Sequence, residues 1–132
     1  MIAFVVFSSV LPSFAVASVR RTPPPFPRLR VAWSHAEINV VISHKPHTLI
    51  LDRGRVAHIS PTRLTLYEVD SSVVTVTFTQ QALVQIDGAP ARIDAVKTGM
   101  YARTMRIDGG AAVRISATRP RPPKASGGSR SR

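Results

Sequence analysis

The sequence predicts an all-β fold, a small antiparallel barrel of five to six strands between disordered N- and C-terminal flanks. Three observations lead there. Short apolar runs from Ile38 onward alternate with a period of two, tight-turn residues punctuate them, and no stretch supports more than one helical turn. A chain of 132 residues leaves room for one such domain plus tails. Closure into a barrel removes the exposed sheet edges that a flat sheet of this size would carry, and a small sandwich is the competing arrangement.

The chain opens on residues Met1 to Val19, which carry no charged side chain. Ile2 to Val10 is an apolar core of signal-peptide length, Pro12 breaks it, and Ala15-Val16-Ala17 offers a small-x-small cleavage pattern. Residues 1–17 therefore read as a signal peptide, with Ala15 and Ala17 at the cleavage site and Ser18 first in the mature chain. Two features oppose this: the first residues lack Lys or Arg, and Arg20-Arg21 place positive charge behind the apolar run. A reversed anchor or a misplaced start competes, although Pro12 and the interspersed serines make a stable span the weaker option. Residues 18–35 form a linker whose Pro23-Pro24-Pro25-Phe26-Pro27 run is stiff and polyproline-like, with no core-forming pattern.

The barrel is expected over residues 36–118. A first strand is best placed at Ile38 to Ser43, with Pro46 ending it because proline lacks the ladder donor. Thr48 to Leu51 and Arg55 to Ile59 read as halves of one long bent strand, with the bend at Gly54. Ser60-Pro61-Thr62 turns into Arg63 to Val69, and Asp70-Ser71-Ser72 closes a hairpin onto Val73 to Thr79. Leu83 to Asp87 forms a further strand, ended by Asp87-Gly88 with Pro90. Asp94 to Thr98 allows one helical turn, stopped by Gly99. Met100 to Ile107 and Ala112 to Thr118 then pair across Asp108-Gly109-Gly110. Residues 119–132, rich in Arg, Pro, Ser and Gly, can bury nothing and read as a disordered basic tail.

The middle of the chain carries an ordered set of short motifs. Gly54-Arg55-Val56 is followed by Leu64-Thr65-Leu66 and Val74-Thr75-Val76. Val84-Gln85-Ile86-Asp87-Gly88-Ala89-Pro90-Ala91, Val96-Lys97-Thr98-Gly99-Met100 and Ala112-Val113-Arg114-Ile115 follow in turn. This series, over roughly residues 53 to 117, resembles the bacterial module catalogued as domain of unknown function five-six-six-six. Asp87 stands where that family usually has Asn, and Val96 where Leu is common. The resemblance implies an oligonucleotide-binding-like barrel in the cell envelope and supplies no catalytic residues.

Charge divides unevenly. The formal net charge is +11, yet residues 47 to 118 hold eight basic and six acidic side chains, while residues 119–132 hold five basic and no acidic ones. Much of the excess therefore lies on the flanks, where it attracts polyanions without sequence preference, and the tail could rest against an anionic envelope surface. Cysteine is absent, so disulfides, thiolate metal sites and a cysteine nucleophile are excluded. His44 and His47 have Lys45 and Pro46 between them, which deny a helical ligand pair, and no carboxylate lies close in sequence. No metal or cofactor is expected. The acids Glu68, Asp70, Asp87, Asp94 and Asp108 fall at turns, where such side chains bond local backbone. No nucleophile elbow, phosphate loop or dinucleotide fingerprint is present.

The expected function is a non-catalytic binding or structural module, exported to the cell envelope. The main alternative is a cytoplasmic nucleic-acid-binding barrel, in which Arg103, Arg106 and Arg114 line one face of the last hairpin. An envelope hydrolase would need converging acids, which the sequence does not show.

Overall fold

The computed structural model describes residues 22–124. Residues 1–21, and with them the cleavage-site reading at Ala15 and Ala17, lie outside the described residues, as do residues 125–132 of the tail. Seven strands form one sheet: β1 (His35–Ile42), β2 (Lys45–Ile59), β3 (Arg63–Glu68), β4 (Val73–Ile86), β5 (Ala89–Pro90), β6 (Tyr101–Ile107) and β7 (Ala112–Thr118). Their order is β1-β2-β3-β4-β7-β6, and β6 pairs back onto β2, so five strands close a ring with β1 outside it and β5 appended to β4. A 3-10 turn, Ile93–Ala95, is the helical element, and no helix among the described residues is long and apolar enough to cross a membrane.

The long bent strand is present as β2, and Gly54 marks where it approaches β3 most closely. A Cβ at Gly54 would lie 2.8 Å from the carbonyl carbon of Tyr67 and 3.1 Å from the Glu68 Cα, contacts that no side-chain-bearing residue accepts without moving backbone. Beyond it, the register slips between Val56 and His58, a bulge that turns the second half of β2 onto β3. The first half of β2 therefore pairs with β1 on one edge and β6 on the other, and the second half with β3.

Inside the ring, Val56, Leu64, Leu66, Val76, Phe78, Val84, Ile86, Ala102, Ile115 and Ala117 meet in the main core, with Val96 and Met100 closing one end. Each fully buried Leu or Ile here contributes about 1.5 to 3 kcal/mol relative to exposure. A second cluster lies on the outer face: Leu49, Leu51 and Met105, flanked by Ile38, Val40 and Ile107 and covered by Phe26 and Trp33.

Four features differ from the sequence reading. Val73 to Thr79 and Leu83 to Asp87 are one continuous strand, β4, rather than two. The β4–β7 pair is parallel, so the sheet is not wholly antiparallel. Pro46 does not end a strand but sits opposite Val41 inside β2. The hairpin turns two residues earlier at Ser43-His44, both with positive φ (51° and 63°). The alternation of an antiparallel ladder points the nitrogen of Pro46 away from β1, and β6 begins pairing only at Leu49, so the missing N–H costs no bond. Finally, the proline-rich stretch is no free spacer: Pro23, Pro24 and Phe26 lie against the outer face. There Arg114 donates through Nε and Nη2 to the carbonyls of Pro24 (3.1 Å) and Pro23 (2.9 Å). Residues 119–124 are exposed and carry no regular structure.

Candidate anion-binding cleft

The alternation of β2 sends Asp52, Gly54 and Val56 to the inner face and Arg53 and Arg55 to the outer one. Register then sets their neighbours. Arg53 stands directly opposite Arg103 of β6, and Arg103 opposite Ser116 of β7. One step along, Arg55 faces Tyr101 and Tyr101 faces Thr118. Two rows of three residues thus cross β2, β6 and β7 on the outer face. The segment that carries Pro27, Arg28, Leu29 and Trp33 rises over them and encloses a cleft of about 380 Å³.

Guanidinium groups and aromatic rings interleave in and beside this cleft, and of these Arg53, Arg103, Tyr101 and Trp33 belong to its lining. Arg103 lies 4.6 Å from the centroid of Phe26, Arg55 lies 5.3 Å from that of Tyr101, and Arg53 lies 5.9 Å from that of Trp33. Arg55 also donates to the Tyr101 hydroxyl at 3.1 Å, which holds the Tyr101 phenol below its ordinary pKa. Burial lowers the pKa of Arg103, and repulsion from Arg53 lowers it further. No carboxylate lines the cleft, and among the described residues Arg28, Arg53 and Arg103 have no acidic partner.

The three arginines read from the sequence do not share one environment. Arg103 is in the cleft. Arg114 is on the same outer face but is held by the two proline carbonyls. Arg106 points the other way, where its Nη2 donates to Asp52 Oδ2 at 3.1 Å. Asp52 is buried (1% exposed), and its other oxygen lies 2.7 Å from His35 Nδ1, which raises the His35 pKa.

Sequence reasoning missed Arg28, Trp33, Arg53, Arg55 and Tyr101 as a group. The Arg53-x-Arg55 alternation was readable, but its partners come from β6 and from a stretch that looked like spacer.

The remaining polar groups are committed elsewhere. His47 Nδ1 lies 2.6 Å from Asp108 Oδ2, and the Thr48 amide donates to Asp108 Oδ1 at 2.8 Å, so folding brings a carboxylate to His47 from across the sheet. His44 is exposed at the hairpin turn, and no group of three metal-ligating side chains gathers among the described residues. A second cleft, of about 660 Å³, opens beside the 3-10 turn over Ile59, Ala82, Val84, Ile93 and Val96. Its cations are engaged: Arg92 pairs with Asp94 at 3.4 Å and the Lys97 ammonium donates to the Asp94 carbonyl at 2.7 Å. The outer cleft is the one whose positive charge is left uncompensated.

The chain matches no protein-family model, no curated protein and no solved structure.

Proposed function

We propose that the ring is a small oligonucleotide-binding-like barrel serving as an exported, non-catalytic binding module, and that its outer cleft takes an anionic ligand. Five strands closed by a long, bent first strand, with one parallel pair, have the connectivity of a partly open Greek-key barrel.

One observation carries the ligand reading: Arg53 and Arg103 face each other across β2 and β6 with no carboxylate beside them. Like charges directly opposite on a sheet are destabilising. An anion seated between them converts that repulsion into two charge-assisted hydrogen bonds, and Arg28 at the rim adds a third cation. Three of the acids are taken up in local pairs. Asp52 is held by His35 and Arg106, Asp108 by Thr48 and His47, and Asp70 by Ser72 and Ser34. Export is supported by the apolar run and the Ala15-Val16-Ala17 pattern.

Trp33 lines the cleft and is the one tryptophan of the chain, so its fluorescence reports occupancy directly. Titration with inorganic tripolyphosphate should change that emission saturably, and Arg53→Gln should weaken binding by roughly 10-fold or more, the worth of one charge-assisted bond. A flat titration, or an Arg53→Gln variant that binds as the parent does, would overturn the assignment. Intact mass of the protein recovered outside the cytoplasm should begin at or near Ser18; a full-length cytosolic species would refute export.

A further inference from the structure

We infer that the ligand of the outer cleft is single-stranded nucleic acid, a conclusion that rests on the anion-binding reading above and names its ligand. Four observations favour it. First, Arg53 lines the cleft and Arg55, outside that lining and bonded to the Tyr101 hydroxyl, follows two residues on along the same face of β2, which sets their Cα atoms about 6.8 Å apart, comparable with the step between phosphates in an extended strand. A small anion needs one such position; two in line suit a chain.

Second, the cations alternate with flat π-surfaces. Tyr101 is 46% exposed and Trp33 lines the same cleft, so a base can stack on the ring surface that Arg55 and Arg53 leave uncovered. That pairing of a basic groove with aromatic platforms is what sequence-tolerant single-strand binding requires. Third, Thr118 lines the cleft and the chain continues from there through Arg119, which is paired with Asp87 at 2.7 Å, to Arg121 and Lys124, which are exposed and have no acidic partner among the described residues. The positive track thus outruns the cleft, as a polymer needs and a monomeric anion does not. Fourth, Pro27, Arg28 and Leu29 line the cleft beside Arg53 and Arg103, so its ligand enters a groove rather than resting on a plane, which disfavours a flat lipid surface and a double helix.

The test uses the full chain with a fluorescein-labelled thymidine decamer, followed by anisotropy, against three competitors: the decamer duplex, inorganic polyphosphate of matched charge, and vesicles rich in phosphatidylglycerol. The labelled single strand should bind and resist displacement by duplex and vesicles. Its log affinity should fall with log salt at a slope of about −2, for roughly three phosphates neutralised at −0.7 each. Tyr101→Leu should weaken the decamer by roughly 5- to 100-fold, the range for one lost base-stacking contact. It should weaken polyphosphate by a far smaller factor, since only the hydroxyl that holds Arg55 is lost there, and Tyr101→Phe should restore most of the decamer binding. Because Tyr101 is half-exposed, the variant folds, which its circular dichroism checks.

If polyphosphate competes equally and Tyr101→Leu binds as the parent does, the ligand is a base-free polyanion: this inference falls and the anion reading stands. Preferential binding to vesicles overturns it in favour of a membrane surface. Decamer binding indifferent to both Arg53→Gln and Tyr101→Leu places the contact outside the cleft and also overturns it. Binding of none of the probes removes the anion reading as well.

Discussion

Asp52→Asn isolates the buried charge on which one end of the ring depends. The carboxylate is 1% exposed and uses both oxygens, accepting from Arg106 at 3.1 Å and facing His35 Nδ1 at 2.7 Å. Asparagine keeps the shape but presents an NH2 to one of two donors, so one charge-assisted bond is lost and Arg106 keeps its charge without a counter-ion. A hydrogen bond to a charged group is worth about 1.5 to 3 kcal/mol, and breaking a buried ion pair costs about 3 to 5. Retention of one acceptor puts the expected loss at about 2 to 3 kcal/mol, a large part of the roughly 5 to 15 kcal/mol that holds a domain folded. In urea unfolding, with a slope of about 1 to 3 kcal/mol per molar, the midpoint should fall by on the order of 1 to 2 M. Asp108→Asn is the matched control: its pair with His47 is half-exposed and screened by solvent, so its loss should lower the midpoint far less. An NMR titration of His35 should also show its pKa dropping back toward 6.5 when Asp52 is replaced. Equal losses for the two variants, or an unmoved His35, would refute the argument from burial.

Three further outcomes are expected. His35 has a raised folded pKa, so its contribution is complete below pH 6.5 and is lost as pH climbs through the folded value. The urea midpoint should decline over that window in the parent and not in His35→Gln. Asp108 behaves oppositely: the Thr48 amide, and then His47, hold it below 3.8, so its contribution is present above 3.8 and disappears as pH falls through the lower folded value. An acid titration of stability on Asp108→Asn should lack that step. Gly54→Ala forces a methyl against the Tyr67 and Glu68 backbone and should cost at least about 1 to 3 kcal/mol by thermal or urea unfolding; an unchanged midpoint would show that the strands separate freely. Arg114→Ala removes both clasps on the Pro23 and Pro24 carbonyls, so the Arg53 amide, which donates to the Ser34 carbonyl at 2.7 Å, should exchange more than tenfold faster while β3 and β4 stay protected.

Much of the fold was legible because its turns are chemically explicit. Asp87-Gly88 and Asp108-Gly109 take the positive φ values that a tight hairpin demands, whereas Gly54, expected at the bend, is the close approach to β3 and the bulge falls beyond it, between Val56 and His58. The Ser43-His44 turn was not legible, because it lacks the Gly, Asn or Asp that usually marks a two-residue hairpin turn and Pro46 masks the strand that follows. The parallel β4–β7 pairing was hidden for a different reason: alternation tells which face a residue occupies, not which strand lies beside it. The cleft suffered most from this. Arg103 was readable as a surface cation, but its partner Arg53 reaches it only through the β2–β6 closure, and Phe26 and Trp33 belong to a stretch whose prolines read as spacer.

That closure also governs how the molecule must assemble. β1–β2, β2–β3, β3–β4 and β6–β7 are hairpin neighbours that can form early and separately, whereas β2–β6 and β4–β7 join segments distant along the chain. The ring therefore forms by two long-range closures whose loop entropy must be met before their contacts exist, which places folding in the millisecond-to-second range rather than the microsecond range. Until β6 arrives, one edge of β2 stands open, with Leu49 and Leu51 beside it. A newly made chain is open to mispairing with its neighbours for as long as its last hairpin is missing.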